Sequence, residues 1–249
     1  MFGMFGRLIE FIPLSIIKII MECKRKLTKK ESTAQNAFMA KLDIKQRKTK
    51  EPVIVAVIGL VGSGKSSVAH ELAKYIGATV IKGDDIRIEL RKQSEKYKQA
   101  RTIAENAAVE IVKQGGNVIL DSDFVDEKKR ASVREKARKA GVRLVFVRTH
   151  CDLDVMVGRV LTATYHNRVD DFFGGAESKW QGSEQSKGAA VKVREMWRRT
   201  PLHYRWVNQG GGKWVLKKFP FAIFAEIDTT DSDSWKREVK KCAKQLRTR

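Results

Sequence analysis

"PVIVAVIGLVGSGKSSVAHELAKYIG", residues 52–77, begins with six consecutive apolar residues, Val53 to Ile58. An uninterrupted run of this kind suits a strand covered on both faces, as strands of a parallel sheet are. Directly after it, GLVGSGKS satisfies the pattern GxxxxGK[ST] with Gly59, Gly64, Lys65 and Ser66, and Val68, Leu72 and Ile76 then recur on one side of a helix. The order strand, glycine loop, helix has a physical use. Small residues at Gly59, Gly62, Ser63 and Gly64 let backbone N–H groups turn inward around phosphate oxygens, and the helix start at Ser66 and Ser67 adds its positive dipole end. Lys65 then reaches the β- and γ-phosphates and the Ser66 hydroxyl can ligate Mg²⁺, so ATP and Mg²⁺ are the expected cofactors.

The next segment, "GATVIKGDDIRIEL", predicts a short strand over Thr79–Lys82 and then a helix. Asp84 or Asp85 at that corner would serve as an ordinary helix cap. In a doubly wound sheet, however, ligands sit at the carboxyl ends of strands, and a carboxylate there can take the proton of an attacking hydroxyl. Arg87, one helical turn on, can hold an anionic acceptor. Asp84 and Asp85 are interchangeable at this point. One would act as the base, and the other would be left to the metal.

GLVGSGKSS followed by GDDIR resembles the P-loop kinases related to the phage-type 5′-hydroxyl polynucleotide kinases, together with zeta-toxin-like and small-molecule kinases of similar build. The likeness runs through "GGNVILDSDF" and on to about residue 170. It implies a general base at Asp84, an acceptor-phosphate arginine at Arg87, and Asp121 near the Mg²⁺. Two departures stand out: Gly83 replaces a basic residue, and Asp123-Phe124 replace a segment ending in asparagine. The helix over 127–140, the strand Val142–Arg148 and the helix over 152–162 keep the family's order. The resemblance further implies a lid after the fourth strand whose arginines neutralise the transferring group, with Arg159 and Arg168 as candidates by position.

The expected fold is therefore an α/β P-loop NTPase: a doubly wound five-stranded parallel sheet in a domain spanning 52–249, with a helical and hairpin lid inserted at about 163–218. Within the lid, "FFGGAESKWQGSEQSKG" predicts a loop and "YRWVNQGGGKWVLKKF" a hairpin. Trp180, Trp197, Trp206 and Trp214 interleave with basic residues, either as a surface that stacks bases or as core beneath the lid. "FPFAIFAEIDTTDSDSWKREVKKCAKQL" predicts the last strand and a helix capped by Ser232 or Asp233. His150 and Cys151 have no partner at metal or nucleophile spacing, and they fit the end of the fourth strand.

Residues 1–23 are apolar, but Arg7, Glu10 and Lys18 interrupt them, and the run from Phe11 to Ile17 is far short of the about 20 residues a span needs. Their periodicity predicts an amphipathic helix, either lying on a membrane surface through residues 1–30 or packing on protein. Residues 24–51 are lysine-rich and predict a basic linker or a short exposed helix around "AQNAFMAKL". With 249 residues the chain suits one enzyme-sized domain. Three widely spaced cysteines without a CxxC pair exclude a disulfide framework and fit the reducing cytoplasm. A net charge of +21 points to an anionic partner. The leading expectation is a kinase acting on a 5′-hydroxyl nucleic acid end; the rivals are a small-metabolite or nucleotide-sugar kinase and an NTP-driven switch. The oligomeric state is not legible.

Overall fold

The computed structural model describes residues 26–165 and 184–248. The apolar segment 1–23, Arg168 and Trp180 lie outside them. Five strands form one sheet: β1 (Val53–Ile58), β2 (Ala78–Lys82), β3 (Asn117–Asp121), β4 (Arg143–His150) and, near the C-terminus, β7 (Ala225–Asp228). All four pairings are parallel, in the order β2-β3-β1-β4-β7. The expected five-stranded parallel sheet is therefore present.

The alternation within β1 explains its unbroken apolarity. Val53, Val55 and Val57 face one core, made with Val68, Leu72 and Ile76 of α2 (Lys65–Ile76) and Val239 and Leu246 of α8 (Ser234–Thr248). Ile54, Ala56 and Ile58 face the other, against α3 (Gly83–Lys92), α4 (Ala100–Lys113) and α5 (Glu127–Lys139). No position of β1 meets solvent, so none can be polar.

Of the linker or short exposed helix expected before β1, the structure has the helix, but it is not simply exposed. It is α1 (Lys29–Met39), whose Ala34 and Phe38 are buried in the second core. A capping box starts the helix: Thr28 Oγ1 accepts from Glu31 N at 3.2 Å, and Glu31 Oε2 accepts from Thr28 N at 2.7 Å. The chain then runs back beside β2, where Lys45 N donates to Thr79 Oγ1.

After α6 (Leu153–Thr162) the described chain resumes with α7 (Glu184–His203), so helix occupies the end of a stretch expected to be loop. β5 (Tyr204–Val207) and β6 (Lys213–Leu216) form the predicted antiparallel hairpin. Buried Arg148 of β4 anchors it, donating to Lys217 O at 2.7 Å and His203 O at 3.1 Å. Trp206 packs edge-on to Trp214 at 5.5 Å yet stays half exposed, as does Trp197, whereas Trp214 packs against the core around Leu60, Met156 and Met196, so the tryptophans divide between surface and core. At the last helix Asp231, not Ser232 or Asp233, accepts from the free N–H groups of Asp233 and Ser234. Cys151 and Cys242 are buried free thiols, and no described helix is long and apolar enough to cross a membrane.

Candidate functional site

The strand order turns at β1, between β3 and β4, and a cleft of about 550 Å³ opens there at the carboxyl ends of the strands. The loop after β1 forms one wall. Gly62 and Gly64 adopt φ of 84° and 73°, a left-handed conformation that strains any residue with a Cβ. At Gly59 the limit is space, since a Cβ would sit 2.2 Å from Thr149 Oγ1. Ser63 is buried and faces the protein: its hydroxyl donates to Leu60 O at 2.8 Å and meets Thr149 Oγ1 at 2.9 Å. It shapes the loop, while Gly59, Gly62, Gly64, Lys65, Ser66 and Ser67 line the cleft.

Lys65 Nζ donates to Leu60 O at 2.6 Å, folding the side chain over the loop. Burial lowers its pKa, against the pull of the Asp123 and Asp121 carboxylates. Behind the loop, Thr229 at the end of β7 donates its hydroxyl to Ser63 O at 3.1 Å. It accepts from Arg159 Nη1, also at 3.1 Å, and Arg159 reaches Gly62 O at 3.4 Å. Arg159 thus braces the loop from behind and is not among the residues lining the cleft.

Across the cleft, α3 begins at Gly83, so Asp84 and Asp85 occupy its first turn rather than its cap. Asp84 and Arg87 form an ion pair and both line the cleft. Asp85 turns instead to a separate groove beside His70 and Thr79, away from Ser66 and Asp121. Asp121 ends β3 and lines the cleft, as do Lys129 of α5 and Lys192, Arg198 and Arg199 of α7. Among the described residues no three His, Cys, Asp or Glu side chains cluster as metal ligands. Ser66 and Asp121 are hard oxygen donors, however, and such a pair suits Mg²⁺, which takes one or two carboxylates and completes its shell with phosphates and water.

At the centre lies Asp123, whose side chain is 12% exposed. Its Oδ1 accepts from Gly59 N at 3.4 Å and Val125 N at 3.2 Å; Oδ2 meets Arg199 Nη2 at 2.6 Å and His203 Nε2 at 3.1 Å. Burial opposes its charge, but the hydrogen bond and electrostatic pull of His203, with the charges of Lys65 and Arg199, outweigh it. They hold the carboxyl far below the usual range.

The AAA_33 family model, an AAA domain, matches residues 54–174, just under half of the chain. An uncharacterized protein of Mycobacterium tuberculosis is 28% identical over 164 residues, 59% of this chain and 33% of that protein. The chain thus spans about one third of the length of such relatives. An adenylyl-sulfate kinase of Bacillus velezensis is 27% identical over 168 residues, 62% of this chain and 84% of that enzyme. A solved structure from Chloroflexus aurantiacus superposes with a TM-score of 0.50 at 17% identity, covering 80% of this chain and 98% of the other. The fold is that of a P-loop NTPase.

Of the residues expected to do chemistry in the P-loop site, the cleft gathers Lys65, Ser66, Asp84, Arg87 and Asp121. It leaves Asp85, Ser63 and Arg159 outside. Asp123 entered the sequence reading only as a departure from a family pattern, and Lys129, Lys192, His203 and Thr229 did not enter it at all. The one local signal was the second aspartate of "LDSDF". The partners that give it meaning are 76 and 80 residues away.

Proposed function

We propose that this chain is an ATP-dependent phosphotransferase that moves the γ-phosphoryl group onto a hydroxyl of a small molecule. The supporting observation is that a phosphate-binding loop with its lysine and an acid–guanidinium pair, Asp84 and Arg87, line one compact cleft. The loop N–H groups, Lys65 and the start of α2 bind the triphosphate. Ser66 and Asp121 would hold Mg²⁺, which when bound neutralises charge on the β- and γ-phosphate oxygens. Asp84 accepts the acceptor's hydroxyl proton, Arg87 orients the acceptor, and Lys129, Lys192 and Arg198 add positive charge around the transferring group.

A small acceptor is favoured over a nucleic acid end for two reasons. Relatives with a named activity are adenylyl-sulfate kinases, and the cleft that holds Asp84 and Arg87 is compact, whereas the nucleic-acid reading rests on net charge, on the tryptophans among the basic residues of the lid and on a likeness of short motifs. The test is labelled-phosphate transfer from ATP to a panel of hydroxyl compounds that includes adenylyl sulfate and a 5′-hydroxyl oligonucleotide. Asp84→Asn is expected to lower kcat by at least about 100-fold, with a much smaller change in the KM for ATP. Full transfer by that variant removes Asp84 as base. Brisk ATP hydrolysis with no transfer to any compound replaces the phosphotransferase with a hydrolysis-driven switch.

A further inference from the structure

At the amino ends of the strands, opposite the cleft, a groove of about 650 Å³ lies between α8, the end of α2 and residues 48–50. Lys48 N donates to Ile76 O at 2.9 Å, and Thr49 Oγ1 donates to Asn117 Oδ1 at 3.0 Å, which fixes this segment against the start of β3. Lys48, Lys50, Lys240, Lys244 and Arg247 line the groove with Tyr75, and no carboxylate does. Lys48 donates to Lys74 O at 3.0 Å, and Lys240 stands over the Tyr75 ring at 6.0 Å. Lys50, Lys244 and Arg247 are exposed, and among the described residues their side chains make no hydrogen bond, ion pair or ring contact.

A basic composition does not by itself produce such a face. α5 is also rich in lysine and arginine, yet Glu127 and Glu135 pair there with Arg130, Arg134, Arg138 and Lys139. In α8 the single acid, Glu238, accepts from Asp228 N at 2.9 Å, so no carboxylate of the helix offsets the repulsion among the cations of the groove. The helix dipole accounts for Arg247 in the last turn but not for Lys50, Lys240 or Lys244. We infer that this face docks the protein on an anionic membrane surface, with lipid phosphates along Lys50, Lys244 and Arg247 and the nucleotide cleft open on the far side. Two observations favour a bilayer over a nucleic acid. The ring in the groove, Tyr75, already lies under Lys240 and is not open to stack a base. The sequence of residues 1–23 carries the apolar periodicity of an interfacial helix, and an apolar segment with a polybasic patch supplies the two signals that stable attachment takes. The inference does not depend on the phosphotransferase reading.

Co-sedimentation of the full chain with phosphatidylcholine vesicles, with and without about 30 mol % phosphatidylserine, tests it. The anionic vesicles are expected to bind at least about tenfold tighter than the neutral ones, and the triple variant Lys50→Gln, Lys244→Gln, Arg247→Gln to lower that binding by at least about tenfold. These side chains are exposed and have no partner to lose, so the variant keeps the fold. A control that removes as many exposed cations from α5, Lys128→Gln, Arg138→Gln and Lys139→Gln, is expected to bind within about twofold of wild type, since those charges lie on another face. An equal loss in the control assigns binding to net charge and overturns the proposal. Wild-type affinity in the first variant assigns it to another part of the chain and does the same, as does equal binding of neutral and anionic vesicles. The proposal also falls if a single-stranded oligonucleotide outbinds the anionic vesicles and is the species weakened in the first variant.

Discussion

Asp123 holds a charge in a place where water cannot support it, and it does so because its two oxygens divide their duties. Oδ1 receives backbone N–H groups from the end of β1 and from Val125; Oδ2 receives Arg199 and His203 from α7. Removing the charge leaves a mostly buried guanidinium with only Asp126, 3.5 Å away, to balance it. Asp123→Asn is expected to cost about 3 kcal/mol at neutral pH, read from urea denaturation midpoints. The pH dependence follows from the depressed pKa. A carboxyl held below its unfolded value near about 3.9 stabilises the fold fully above that pH and loses the contribution as pH falls toward the folded value. The gap between wild type and Asp123→Asn should therefore shrink by about 1 kcal/mol between pH 7 and about pH 3. A constant gap would assign the loss to shape rather than charge.

Among the elements, α1 belongs to the domain that follows it. Phe38 is buried against α3 and α4, so Phe38→Ala is expected to destabilise the protein by about 3 kcal/mol in urea unfolding, where a tethered linker helix would lose almost nothing. The sequence around it shows why this was hard to read. In "KKESTAQNAFM" Ala34 and Phe38 form a stripe only two residues long, too narrow to stand out against lysines and polar residues. β1 is the opposite case: a strand covered on both faces must be apolar at every position, so six residues declared it and its sheet. The P-loop was legible for a related reason, because its chemistry is carried by contiguous backbone. Asp84 and Arg87 were legible as a corner at a strand end, but nothing local separates Asp84 from Asp85, which helix rotation sends to a different groove. The Asp123 cluster was illegible because a buried carboxylate's partners are a tertiary matter, supplied by a helix far along the chain.

For the molecule as a whole, a net charge of +21 acts before any contact is made. A tetra-anionic nucleotide approaching a cleft lined by Lys65, Lys82, Lys129, Lys192, Arg198 and Arg199 is drawn in by the field of the entire surface. Stopped-flow binding of a fluorescent ATP analogue should show an association rate that falls about tenfold between ~20 mM and ~500 mM salt, with a much smaller change in dissociation. An association rate indifferent to salt would mean that the charge is spread where the nucleotide does not feel it. The tie from Thr229 to Ser63 spans 166 residues, and Arg159 closes on the same threonine. During synthesis, the loop leaves the ribosome long before the residue that holds it in shape. A nascent chain therefore carries the complete nucleotide motif without a finished cradle, and ATP can act as a folding ligand only after β7 has docked.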